Sequence, residues 1–152
     1  MGPEFAAGHY TSFPYFQAVQ SPTNSEWVQK VKAKFGANAV THHAMECSYW
    51  QVHIFKQAVE KAGNLDPMKI REATIGQEYN APGGKVRIDQ NAHAFLTPRI
   101  AQAQADGQFK VVDEYKEPLE PLPYSAYGET SNNEFCLTTG LDPQKARAVT
   151  ET

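Results

Sequence analysis

The feature that most constrains the fold of this 152-residue chain is a change in hydrophobic period at residues 81–84, Ala-Pro-Gly-Gly. Before this point, apolar residues recur at steps of three and four, which places them on one side of an α-helix. After it, residues 85–89 alternate between apolar and charged, the pattern of a β-strand with one buried face. The sequence therefore predicts an α/β domain in which helices precede most of the strands.

Three helices are predicted before the change of period, over residues 25–35, 46–62 and 67–75. A glycine follows the last apolar position of each, where helices commonly end. Asp66 and Pro67 supply an N-cap and a first-turn proline to the third helix. The side chains expected to face the core in the first two helices are Trp27, Val31, Phe35, Met45, Tyr49, Val52, Phe55, Val59 and Ala62.

The remaining strands are indicated by alternation and by turn residues. Residues 9–17 are predicted to form a strand that runs into a loop, and residues 108–112 a strand that follows the Asp106-Gly107 turn. Residues 95–103 are a candidate partner for the strand at 85–89, and Pro98 is expected to confine them to the edge of a sheet. The predicted architecture is three helices followed by a strand hairpin.

Composition narrows the class of protein. Hydrophobic residues make up 41% and charged residues 20% of the chain, as in ordinary globular proteins. The formal net charge of -3 argues against nucleic acid as a partner. No run of 18 apolar residues is present. Cys47 and Cys136, the only two cysteines, give no disulfide framework and no zinc motif.

The chain divides into three segments. Met1–Phe5 is interpreted as a remnant of cloning, since Gly-Pro is left by some tag-removing proteases and Glu-Phe is encoded by a common restriction site. Residues 6–125 are predicted to form the folded domain. Residues 126–152 form a tail of uncertain structure, in which Asp142-Pro143 could cap a short helix. The native N-terminus, with any signal peptide, is expected to be missing.

Four stretches in a fixed order resemble one family. They are Tyr15-Phe16-Gln17 with Ser21-Pro22-Thr23-Asn24, then Met45-Glu46-Cys47-Ser48-Tyr49-Trp50, then Ala81-Pro82-Gly83-Gly84-Lys85-Val86-Arg87-Ile88-Asp89, and Asp106-Gly107-Gln108-Phe109-Lys110-Val111-Val112. On these stretches the chain is similar to the C-terminal part of type I periplasmic solute-binding proteins, within the leucine/isoleucine/valine-type group, and most of all to urea and short-chain amide receptors of ABC transporters. The resemblance covers about residues 8–125.

The resemblance implies part of a two-lobed fold, with a ligand held in the cleft between lobes that close like a hinge. The helices would belong to one lobe and the later strands to the other. The parent protein would be a periplasmic receptor whose partner is an ABC transporter permease. Two features depart from the family pattern: His42-His43-Ala44 precedes Met45, and residues 126–152 match nothing in it.

Four residues are candidates for ligand contact because a urea or amide site needs hydrogen-bonding groups and aromatic walls. They are Tyr15, His43, Glu46 and Tyr49. Two of them also have a simpler explanation. Glu46 suits the positive end of its helix whatever it contacts, and Tyr49 lies on the apolar stripe and is expected in the core.

Metal binding and catalysis are not expected. His42 and Glu46 are four residues apart and could face one ion on a helix, but His42 is expected to precede the helix and no third ligand is evident. Cys47 lies inside a helix and is expected to be inert. The glycines at 83 and 84 precede a strand, whereas a phosphate-binding loop precedes a helix. No cofactor and no enzyme activity are therefore predicted.

Three functional hypotheses follow from the sequence. The favoured one is a fragment of a receptor that captures urea or a short-chain amide for an ABC importer. An amide-sensing regulatory protein of the same fold, or a branched-chain amino-acid receptor, is the alternative. A free-standing α/β enzyme or metalloprotein is the third. Because the fragment lacks much of the sheet its helices would cover, self-association is also expected.

Overall fold

The structure is a computed structural model, and it describes residues 2–121 of the chain. The three longest helices come before most of the strands, as the sequence predicts. No helix in the described part is both long and apolar enough to cross a bilayer. The elements are α1 (Pro3–Ala6), β1 (Tyr10–Phe13), α2 (Pro22–Phe35), α3 (His43–Ala62), α4 (Pro67–Thr74), β2 (Glu78–Ala81), β3 (Gly84–Ile88), β4 (Ala94–Phe95), β5 (Arg99–Ala103) and β6 (Phe109–Glu114).

The three principal helices have their ends fixed by local chemistry. The Ser21 hydroxyl accepts a hydrogen bond from the Asn24 N–H at 3.1 Å, so α2 begins three residues earlier than predicted. The Asp66 carboxylate accepts from the Met68 N–H at 2.8 Å and caps α4. Gly63 ends α3 in the left-handed conformation, which glycine adopts without steric cost. All three predicted helices are confirmed.

Two three-stranded sheets are present among the described residues, both antiparallel. One has the order β1-β5-β6, and its β5–β6 hairpin turns at the predicted Asp106-Gly107. The other has the order β2-β3-β4. The predicted strands near 85–89 and 108–112 are confirmed, and β2 is a strand that the sequence analysis did not identify.

The expectation for residues 95–103 was confirmed at the start of the segment, where β4 pairs with β3, and was wrong for the rest. The segment contains two short strands, β4 and β5, that belong to different sheets. Pro98 lies between them, so it interrupts neither strand, and β5 is the central strand of its sheet rather than an edge. Arg99 at the start of β5 is buried, and its guanidinium donates to the Glu114 carboxylate on β6 at 2.8 Å and to the Pro14 carbonyl.

The side of α3 that faces the core differs from the predicted stripe. The buried residues are Glu46, Trp50, Ile54 and Ala58, at intervals of four. Val52 and Phe55, predicted to be internal, are 66% and 57% exposed. The period was correct but its phase was not, because Trp50 and Ile54 pack against β2 and β3 in a cluster with Ala81, Val86 and Ile88.

A second apolar cluster joins α2 to the loop after β1. It contains Tyr15, Val19, Trp27 and Val31. Trp27 and Val31 are buried as predicted, whereas Phe35, at the end of α2, is 66% exposed. The possible helix at Asp142-Pro143 lies outside the described residues.

The phase of α3 can be tested with adjacent residues. Ile54→Ala is expected to lower the free energy of unfolding by about 2–5 kcal/mol, since it opens a cavity in the core. Phe55→Ala, the matched control, should change it by no more than about 0.5 kcal/mol. Urea denaturation at a protein concentration low enough to favour the monomer measures both. Equal losses would show that the helix is rotated from the position described.

Self-association is expected because the helices leave large apolar side chains in water. Each such side chain gains about 1.5–3 kcal/mol when it is buried. Light scattering coupled to size exclusion should therefore give a mass above that of one 16.9 kDa chain. A folded monomer at every concentration tested would contradict this expectation. The exposed side chains concerned are Phe35, Val52, Phe55, Leu65 and Met68.

Candidate functional site

A cavity of about 500 Å³ lies where three segments of the chain meet. Residues 13–18 leave the end of β1, residues 40–44 lead into α3, and residues 107–109 form the turn into β6. Loops and element ends that converge on one concavity are a common setting for binding sites. This cavity is the candidate ligand site.

An aromatic wall, defined as Phe13, Phe16, Phe109 and His43, borders the cavity. The ring centroids of Phe13 and Phe16 are 6.1 Å apart in an edge-to-face arrangement, and those of Phe16 and Phe109 are 5.3 Å apart. The His43 ring lies 5.6 Å from Phe13. These separations are typical of favourable aromatic pairs, so the wall is held by its own contacts.

The polar floor of the cavity is built around the Tyr15 hydroxyl. Tyr15 is 1% exposed, and its hydroxyl donates to the Asn24 side-chain carbonyl at 2.9 Å and lies 2.7 Å from the Thr41 hydroxyl. Burial raises the pKa of Tyr15 to about 12, so the phenol stays protonated. The ring borders the cavity while the hydroxyl is already engaged within the protein.

Asn24 and Gln17 extend this network to the backbone. The Asn24 amide group donates to the carbonyls of Gln17 and Val19 at 2.9 and 2.7 Å. The Gln17 side-chain oxygen accepts from the Thr41 N–H at 2.8 Å. Three segments are thereby tied together at the base of the cavity, and buried polar groups satisfied in this way favour one arrangement.

The charge of the cavity wall is close to zero. Among the described residues that border it, none is Asp, Glu, Lys or Arg. His43 is half-buried, and its pKa is lowered by burial and, to a smaller extent, by the neighbouring His42. The imidazole of His43 is therefore uncharged at neutral pH, with one nitrogen to donate and one to accept.

Glu46 lies behind the cavity rather than in it. Its side chain is 2% exposed, and its Oε1 accepts a hydrogen bond from the Gly83 N–H at 3.0 Å. Burial raises the pKa of this carboxyl group, and the bond from Gly83 opposes that shift. A Cβ at Gly83 would lie only 3.0 Å from the same Oε1, so glycine permits the close approach.

Tyr49 lies on α3 and packs against the apolar cluster that contains Trp27, away from the cavity. Its ring lies 5.7 Å from Trp27 and 4.8 Å from His53, and His53 stacks on Tyr79 at 4.6 Å. This position agrees with the core role that the apolar stripe predicts for Tyr49.

Of the four candidate ligand residues, Tyr15 and His43 border one cavity, and Glu46 and Tyr49 border other parts of the molecule. Direct ligand contact by any of them stays a prediction. Sequence reasoning missed Phe13, Phe16, Thr41 and Phe109 as cavity residues. The aromatic density of residues 9–17 could have indicated the first two. Phe109 could not have been found, because its position depends on the β5–β6 hairpin.

The fold and the open cavity together are those of an α/β ligand-binding module. The chain belongs to the periplasmic binding protein domain family, whose model matches residues 1–130. This confirms the family-level resemblance seen in the sequence, and with it the expectation of a partial type I fold.

Three relatives illustrate the similarity. A limonene hydroxylase of Geobacillus stearothermophilus is 31% identical over 136 residues, which cover 88% of this chain and 25% of that protein. A Leu/Ile/Val-binding protein homolog of Brucella abortus is 31% identical over 87 residues, covering 57% and 22%. The crystal structure of a Rhodopseudomonas palustris BisB5 solute-binding protein with 3,4-dihydroxybenzoic acid superposes with a TM-score of 0.66 at 22% identity, covering 76% and 33%.

The chain therefore spans about a quarter to a third of the length of these relatives. The structural similarity establishes the fold, and the superposed protein is a solute-binding protein.

The Glu46 carboxylate makes stability depend on pH. The folded-state pKa of Glu46 lies above the ordinary value of 4.5. The stabilisation contributed by the protonated carboxyl group is therefore complete below pH 4.5 and is lost as pH rises through the folded-state pKa. Glu46→Gln keeps an oxygen for the Gly83 N–H and removes the buried charge. In thermal unfolding, the melting temperature of the variant should rise relative to that of the wild type as pH increases above 4.5. A constant difference across that range would contradict the assignment.

Proposed function

We propose that this chain is the C-terminal part of a periplasmic receptor that captures a small uncharged ligand, urea or a short-chain amide, for an ABC importer. The observation that carries this proposal is the chemistry of the cavity. Its described lining combines an aromatic wall with neutral polar groups and has no formally charged side chain. Aromatic walls with a few placed polar groups are typical of small-molecule sites.

The absence of charge in the described lining bears on the choice of ligand. A free amino acid carries an ammonium and a carboxylate, and burying either without a partner is costly. Urea and acetamide carry no net charge and need only hydrogen-bond donors and acceptors. An uncharged His43 and the Gln108 side-chain amide, both at this cavity, are groups of that kind.

The rest of the cleft would come from the remainder of the parent protein. In the proposed receptor, this chain supplies part of the cleft lining, and lobe closure brings the rest of the lining over the ligand. The ABC transporter permease is then the partner that accepts the ligand. Because half the wall is missing, the fragment alone should bind amides weakly or not at all.

An aromatic acid is a second candidate ligand. Three phenylalanines border the cavity, and stacked rings suit a planar aromatic ligand. The superposed receptor from Rhodopseudomonas palustris BisB5 was crystallised with 3,4-dihydroxybenzoic acid. A carboxylate ligand would require a cation from outside the described lining of this cavity. An amide-sensing regulator of the same fold is compatible with the same cavity.

Calorimetric titration of the full-length parent protein discriminates among these ligands. Urea and acetamide are expected to bind, and leucine is not. Tight binding of leucine alone would move the protein to the branched-chain amino-acid group. Tight binding of 3,4-dihydroxybenzoate, without binding of urea or acetamide, would favour the aromatic-acid alternative.

Substitution of the aromatic wall tests whether this cavity is the site. Phe13→Ala in the full-length protein is expected to weaken ligand binding about tenfold, since loss of one aromatic contact costs about 1.4 kcal/mol. Phe35→Ala is the matched control because Phe35 is also exposed but borders a different groove. Equal effects of the two substitutions would show that the ligand binds elsewhere.

A further inference from the structure

Three potential metal ligands converge at the start of α3. His43, Glu46 and Cys47 occupy positions i, i+3 and i+4, which face the same side of a helix. One ligand atom from each lies within 4.8 Å of the other two. The Cys47 Sγ lies 3.5 Å from both ring nitrogens of His43.

The spacing agrees with tetrahedral zinc. Zinc binds histidine nitrogen at about 2.0 Å and cysteine sulfur at about 2.3 Å. In a tetrahedral arrangement these bonds place nitrogen and sulfur about 3.5 Å apart. The His43–Cys47 separation is 3.5 Å with no ion needed to draw the residues together. We propose that His43, Glu46 and Cys47 form a binding site for zinc or a chemically similar divalent ion.

The local charges favour a divalent cation. A buried carboxylate is costly, and Glu46 is 2% exposed. The positive charge that acts on it is the Arg99 guanidinium, which is already paired with the Glu114 carboxylate. The Glu46 Oε1 is oriented by the Gly83 N–H, and a carboxylate has a second oxygen to offer an ion. This bond resembles the outer-shell hydrogen bonds that fix the ligands of known metal sites. Together with a thiolate, the carboxylate would supply two negative charges to balance the ion.

The ligand types select a borderline-soft metal. Calcium and magnesium prefer oxygen ligands, whereas a thiolate and an imidazole suit zinc or cobalt. Burial raises the pKa of Cys47 to about 11, so the thiol is protonated without an ion. Binding therefore releases the thiol proton to solvent and forms the sulfur–metal bond, with no change in oxidation state.

The structure also identifies which histidine takes part. The sequence analysis considered His42 with Glu46 and expected no metal site. His42 is the exposed N-cap of α3 and lies outside the three-residue group. The pair four residues apart is His43 with Cys47. Since His43 also borders the ligand cavity, the ion would lie at the edge of that cavity.

Cobalt titration of the full 152-residue chain tests the site, because Co²⁺ reports its ligands by absorption. One equivalent of Co²⁺ should produce a sulfur-to-cobalt charge-transfer band in the near ultraviolet and strong visible bands of tetrahedral geometry. Added Zn²⁺ should displace both. Absence of binding, or binding without the charge-transfer band, would overturn the proposal.

Matched variants assign the ligands. Cys47→Ser and His43→Ala should each weaken Co²⁺ binding by more than about 100-fold. Loss of an outer-shell partner alone weakens metal binding by about 10–100-fold, so a larger loss identifies a direct ligand. Cys136→Ser and His53→Ala are the controls and should leave the spectrum unchanged. Circular dichroism of the metal-free proteins establishes that each variant is folded. A charge-transfer band that survives Cys47→Ser and disappears with Cys136→Ser would overturn the assignment.

Discussion

The hydrogen bond from the Gly83 N–H to the Glu46 carboxylate joins two parts of the chain that are 37 residues apart. It fixes the first turns of α3 against the turn between β2 and β3. The cluster containing Trp50, Ile54 and Val86 then packs directly beyond it. This hydrogen bond offsets part of the cost of burying a carboxylate, and glycine at position 83 leaves room for the two segments to approach so closely. It acts together with the packing of Trp50 and Ile54, which decides which side of α3 faces the sheet.

The cavity depends on a second set of buried polar contacts. Tyr15 and Thr41 line its floor, and Asn24 behind them accepts a hydrogen bond from the Tyr15 hydroxyl. These contacts tie the end of β1 to α2 and to the start of α3. The Tyr15 ring also packs edge-to-face on Trp27, at 5.5 Å, so the polar floor and the apolar cluster beneath α2 share one side chain. The aromatic wall rests on this floor. A binding surface held in place before the ligand arrives loses less conformational freedom on binding.

Local signals in the sequence were enough to predict the helices, the hairpin turn at Asp106-Gly107 and the α/β class. Those signals act within a few residues, as with Asp66 and the N–H of Met68. The phase of α3 could not be predicted, because Val52 and Phe55 are as apolar as Ile54, and only contact with β2 and β3 decides between them. Tyr15 and His43 were chosen as candidate ligand residues by residue type and by resemblance, and both border the cavity. Phe109 joins them only through the pairing of β5 with β6.

The pairing of β1 with β5 has a consequence for the synthesis of the protein on the ribosome. Tyr10 pairs with Gln102, 92 positions further along the chain. At roughly 5–20 residues per second, about 5–20 s pass before the partner strand has been made. Closing a loop of this length also opposes early pairing. During that interval the nascent chain carries an unpaired strand with aromatic side chains at Tyr10 and Phe13, the kind of segment that chaperones bind until its own partner emerges.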